Sequence, residues 1–179
     1  MVSLELFSGS EELENLVRML ENVSKGSPEE ALMYLLELSE ATLSLYIAFR
    51  DELPKGYGRI KFSRFVEKKR KQLENMRSVL RELYPKPKRS PGFSTSLRVE
   101  TVDDYVKALE SAIYLESLIL KAFRHIEKTS PEKLFLGDLI AEIEGNIEEL
   151  QRELERAKAV ESKLLFSEFV KKLVGDRDG

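Results

Sequence analysis

The chain has 179 residues with 42% hydrophobic and 34% charged residues, a net charge of −3, no Cys and one His, His125. The length gives one domain with a sizeable core, and the missing Cys and lone His exclude disulfides, thiolate catalysis, Cys-based zinc sites and His-rich metal sites. The slight acidic balance supplies no whole-protein field for nucleic acid or membrane. With no run of about 18 apolar residues and no basic-then-apolar leader, a cytoplasmic protein is expected. The Glu, Lys, Leu and Arg bias favours helix, and few Asn and Gln beside abundant Glu and Lys match a thermophile-like composition.

In chain order, Ser10-Glu11-Glu12 opens a short helix over about 10–23, with Leu13, Leu16, Val17 and Leu20 on one side. Ser27-Pro28-Glu29-Glu30 combines an N-cap serine, a proline at the first helical position and early acids, and starts a helix that runs to about Leu53. Pro54-Lys55-Gly56-Tyr57-Gly58 is a turn. A second long helix follows from about Ile60 to Tyr84. The stretch from Pro85 to Glu100, with three Pro and several Ser and Lys, reads as a long connection. Thr101 with Asp104 resembles a capping box and opens a third helix to about Glu127. Ser130-Pro131-Glu132 opens the fourth. One helix from 132 to 174 would span about 65 Å, far longer than its partners, so a break near 157–162 and a separate C-terminal helix over about 162–174 are expected. The short turns make the first and second helices, and the third and fourth, antiparallel neighbours. The whole is an all-α four-helix bundle with one long crossover, a single domain over 1–179 with its bundle core over about 28–157.

Each long helix carries an apolar stripe at three-, four- and seven-residue spacing, and each stripe holds a polar residue near mid-helix. Leu32, Leu35, Leu36, Leu43 and Tyr46 centre on Ser39. Phe62, Phe65, Val66, Leu73, Met76, Leu80 and Leu83 centre on Lys69, with Gln72 nearby. Leu109, Ala112, Ile113, Ile119, Leu120 and Phe123 centre on Glu116. Leu136, Leu139, Ile140, Ile143, Ile147, Leu150 and Leu154 include Asn146. Mid-helix residues of an antiparallel bundle meet at similar height. An isolated buried charge is very costly, so Lys69 and Glu116 are expected to pair, with Ser39, Tyr46, Gln72 and Asn146 taking remaining hydrogen bonds. The competing reading has Lys69 snorkelling to solvent and Glu116 beside water.

This spacing resembles the ferritin-like superfamily, and rubrerythrin-like di-iron domains especially. Those place a Glu with an aromatic seven residues later on the first and third helices, and Glu-x-x-His on the second and fourth. Glu116 with Phe123 matches the third-helix element. The first becomes Ser39 with Tyr46, the second Lys69 with Gln72, and the fourth Ile143 with Asn146. The resemblance covers about 28–157 and implies a ferritin-like bundle whose ligand positions are degenerate: only Glu116 keeps its chemistry, both imidazole positions hold amides that ligate iron poorly, and an ammonium stands where a carboxylate should. A register shifted by one would offer Glu40, Glu67 or Glu144, without a His.

The run Lys68-Lys69-Arg70-Lys71, with Lys61, Arg64, Arg77 and Arg81, makes the second helix basic. A nucleic-acid surface is one reading; a solvated face opposite the acidic fourth helix (Glu142, Glu144, Glu148, Glu149) is the other. His125 reads as a surface residue near a helix C-terminus. No phosphate loop, nucleophile elbow or zincin motif occurs, so no catalytic residue is assigned. The first helix is apolar over most of its circumference, which calls for cover from the terminal helices or a second subunit. The expected protein is a ferritin-like bundle without its di-iron centre, with no cofactor, acting as a structural or partner-binding homodimer. The alternatives are a divergent di-iron oxidoreductase of the rubrerythrin-like type, in which iron is bound, and a nucleic-acid-binding bundle.

Overall fold

The computed structural model describes residues 28–86, 104–130 and 133–175. These residues form four helices: α1 (Pro28–Glu52), α2 (Tyr57–Leu83), α3 (Tyr105–Thr129) and α4 (Gly137–Gly175). The expected helix at 10–23 and most of the connection from Pro85 to Glu100 lie outside the described residues.

Local chemistry sets the helix ends. Pro28 begins α1 with Glu29 and Glu30 in its first turn, where acids complement the helix dipole. Gly56 precedes α2 with φ 148°, a backbone region that side-chain-bearing residues rarely enter; it reverses the chain tightly enough to make α1 and α2 antiparallel. Asp104 caps α3 directly, its Oδ1 accepting from the backbone N–H groups of Val106 at 2.8 Å and Lys107 at 3.3 Å. The cap is therefore Asp104 itself, not the third position of a box begun at Thr101. Two expectations for the fourth helix need correction. It starts at Gly137 rather than near 132, and it continues unbroken for 39 residues to Gly175, so the separate helix at 162–174 does not form. No Gly or Pro interrupts 146–174, and Glu, Lys, Leu and Ala dominate there; intrinsic propensity carries the helix onward without packing to stop it.

α1 packs beside α2 and α3, and α4 packs beside α3 and α2. Polar contacts fix the antiparallel registers: Arg77 to Glu40 between α2 and α1, Asn75 to Glu142 and Lys68 to Glu149 between α2 and α4, and Arg124 to Glu144 between α3 and α4. The buried arc of α1 is rotated from the expected stripe. Leu38, Thr42 and Leu45 are buried beside Ser39, whereas Leu36 and Leu43 are only half-buried. No large apolar side chain of α1 is left exposed. α1 is also long and apolar enough to cross a membrane, with half of its most apolar window buried inside the bundle.

The core divides in two. One apolar cluster gathers Leu32, Leu35, Met76, Leu80, Phe123 and Leu139 toward one end of the bundle. The other gathers Tyr46, Phe49, Phe62, Val66, Leu109 and Leu150 toward the other end. Along α2 and α3, the positions between these clusters include Lys69, Gln72 and Glu116, all buried.

Candidate functional site

Periodicity explains how charged residues reach this interior. Lys69 lies three residues after Val66 and four before Leu73, and Glu116 lies four after Ala112 and three before Ile119; all four neighbours are fully buried or nearly so. Each charge is carried inward because its apolar neighbours on the same face are. Both side chains are 1% exposed, and Lys69 Nζ lies 2.8 Å from Glu116 Oε1. The Tyr46 hydroxyl, from α1, donates to the same Oε1 at 2.9 Å. Three helices therefore converge on one carboxylate oxygen.

The ion pair is close but incompletely hydrogen-bonded. The approach of the ammonium to Oε1 is off the line a hydrogen bond prefers, so Lys69 Nζ has a charge partner without an aligned acceptor. Glu116 Oε2, Ser39 Oγ, Ser111 Oγ and both amide atoms of Gln72 are buried without a hydrogen-bond partner among the described residues. Thr42, by contrast, satisfies itself by donating from Oγ1 to the carbonyl of Leu38 at 2.8 Å. Burial, and then the adjacent Glu116 carboxylate, hold the Tyr46 hydroxyl well above its ordinary pKa; the phenol stays protonated and is a donor to Glu116.

A small cavity adjoins the pair, lined by Tyr46, Phe65, Lys69, Glu116, Asn146 and Leu150 and bordered by Lys68 and Glu149. Its interior holds about 10 Å³, the room of a single water molecule. Organic ligands occupy pockets of roughly 300–1,000 Å³, so this centre does not accept a substrate of that size.

The structure thus brings Tyr46, Lys69 and Glu116 into contact, with Asn146, half-buried, on the wall of the same cavity. Ser39 and Gln72 are fully buried but bond to none of these. Ile143 belongs to the apolar cluster. His125 is exposed. Glu40 and Glu144 pair with Arg77 and Arg124, and Glu67 pairs with Arg70 at 2.7 Å, so none turns inward. Among the described residues, no group of three or more His, Cys, Asp or Glu side chains could hold a metal ion.

A second buried carboxylate escaped the sequence reading. Glu153 of α4 is buried, accepts from the Tyr105 hydroxyl at 2.9 Å, and lies 3.9 Å from Lys61 Nζ. Its position seven residues after Asn146, on the line of Ile143 and Leu150, was the available signal. Burial and this carboxylate also push the Tyr105 hydroxyl above its usual range. Half of the basic residues on the outer face of α2 are paired with acids: Lys61 with Glu153, Lys68 with Glu149, Arg70 with Glu67 and Arg77 with Glu40. In comparisons with protein-family models, with curated proteins and with solved structures, nothing matches the chain.

Proposed function

We propose that this chain is a ferritin-like bundle, related to the rubrerythrin type, in which an internal salt bridge stands where a di-iron centre would be. In this reading it works as a structural or partner-binding homodimer and not as a metalloenzyme. The observation that carries the proposal is the Lys69–Glu116 contact at 2.8 Å with both side chains 1% exposed. An ammonium held against the one matching carboxylate repels a cation and occupies the carboxylate's charge. The other corresponding positions offer a hydroxyl (Ser39), an apolar side chain (Ile143) and two amides (Gln72, Asn146), a donor set that does not fit a pair of iron ions. The order of the helices supports the ferritin-like part. Leu80 and Leu83 at the end of α2 pack with the cluster at one end of the bundle, while Tyr105 at the start of α3 packs with the cluster at the other. The end of α2 and the start of α3 thus lie toward opposite ends of the bundle, the placement that a long crossover calls for. Ion pairing along α2 counts against a nucleic-acid surface.

Metal analysis tests this reading. Protein purified without chelator and then exposed anaerobically to excess ferrous iron is desalted and assayed. Sub-stoichiometric iron, manganese and zinc are expected. About two iron atoms per chain, with the near-ultraviolet absorption of an oxo-bridged pair, would support the divergent oxidoreductase instead.

A further inference from the structure

The bundle does not use all of α4. Up to Ala157 the helix packs against the bundle, but from Lys158 to Gly175 every residue is exposed. This tail of 18 residues extends about 27 Å at 1.5 Å per residue. It is not a polar extension. Leu164, Leu165, Phe166, Phe169, Leu173 and Val174 are each more than half exposed. Leu165, Phe169 and Leu173 recur every four residues, as do Phe166, Val170 and Val174, while Ser167, Glu168, Lys171 and Lys172 lie on the opposite face with Leu164 among them. An isolated helix of this length is marginal in water, and most helical stability in proteins comes from packing an amphipathic face. Apolar patches of this extent mark interaction sites.

We propose that the α4 tail is the dimer interface, its apolar face packing against the same face of a second copy of this chain. Area favours this occupant. The face formed by Leu165, Phe166, Phe169, Val170, Leu173 and Val174 is 39–68% exposed, and two such faces together offer on the order of 1,200 Å², the lower end of a standard stable interface. A two-fold pairing presents the same patch twice, so each copy supplies the match for the other's area. The charges of the tail suit self-association as well. Beyond Lys158, which pairs with Glu110 of α3 at 3.4 Å, Glu161, Lys163, Glu168, Lys171 and Lys172 mix both signs, so two tails approach without a single-sign barrier. A helix lying on anionic lipid carries a consistently basic polar face instead; here Glu161 and Glu168 interrupt it. α1, whose apolar arc also called for cover, exposes no large apolar side chain, and among the described residues eight of the eleven exposed large apolar side chains lie in the tail.

The inference rests on the partner-binding half of the proposed function and is independent of the metal-free centre. Sedimentation equilibrium at micromolar concentration tests it, on the full chain and on the double variant Phe169→Glu with Leu173→Glu. The wild type is expected at twice the 20.6 kDa chain mass, and the variant at 20.6 kDa with an unchanged circular-dichroism melt of the bundle. A variant that stays dimeric overturns the tail interface while leaving the homodimer standing. A monomeric wild type overturns both, whether or not it also co-sediments with phosphatidylglycerol vesicles, which would identify a lipid-facing tail.

Discussion

Removing either member of the buried pair should cost far more than removing both. At a separation of 2.8 Å, the attraction between Lys69 and Glu116 is about 6 kcal/mol at an effective dielectric of about 20. Bringing the two ions out of water costs several kcal/mol each, so the intact pair is close to neutral for stability. Lys69→Met leaves a buried carboxylate, and Glu116→Leu leaves a buried ammonium; each should destabilise by roughly 3–5 kcal/mol. Glu116→Leu should be the worse of the two, because it also strands the Tyr46 hydroxyl that donates to Oε1 at 2.9 Å. The double variant removes both charges and replaces them with apolar volume. What it still carries is the unsatisfied Tyr46 hydroxyl, about 1–3 kcal/mol, and adding Tyr46→Phe should recover most of that. The cycle should therefore show a coupling of roughly 3 kcal/mol or more, beyond the 0.2–1 kcal/mol of exposed pairs. Urea unfolding of the wild type, both single variants, the double and the triple measures it. Single effects below about 1 kcal/mol that simply add would refute the reasoning, because the two side chains would then be meeting in water.

Tyr46→Phe alone should destabilise by about 1.5–3 kcal/mol at neutral pH, the range for a hydrogen bond to a charged group, read by the same unfolding assay. The folded pKa of Tyr46 is raised, so its contribution is complete below the unfolded value of about 10 and declines as pH rises above it; the urea midpoint should fall from pH 9.5 upward, about, and less steeply in Tyr46→Phe. Gly58→Ala should cost roughly 1–3 kcal/mol, since its Cβ would sit 2.9 Å from the Tyr105 ring, which its bond to Glu153 and its edge contacts with Tyr57 and Phe62 hold in place; a thermal melt equal to wild type would show that the ring yields. By contrast Arg77→Ala, which breaks a half-exposed pair with Glu40 at 3.0 Å, should change stability by less than about 1 kcal/mol and lose that effect in high salt.

Periodicity made the helices and the inward charges legible. Lys69 and Glu116 could be placed in the interior because their neighbours at three and four residues are apolar, and burial cost alone implied that they would meet. Tyr46 followed from the same stripe. What periodicity does not carry is how far a helix continues once its packing ends. The α4 tail keeps strong helix formers past the bundle, and expecting a break near 157–162 assumed that the fourth helix would match its partners in length. The rotation of α1 toward Leu38, Thr42 and Leu45 was also hidden. That helix is apolar nearly all round, so its buried arc is set by its neighbours and not by its own pattern. Glu153 was missed because a charged residue among the acids of helix α4 looks like solvated surface until Tyr105 and Lys61 are seen to close over it.

The most direct measurement is a crystal structure from crystals soaked in ferrous iron, with an anomalous difference map collected at the iron edge. The salt-bridge account predicts no anomalous peak beside Tyr46, Lys69 and Glu116, and the Lys69 Nζ to Glu116 Oε1 contact in place near 2.8 Å. A peak coordinated by Glu116, with Lys69 swung away from it, would contradict the account.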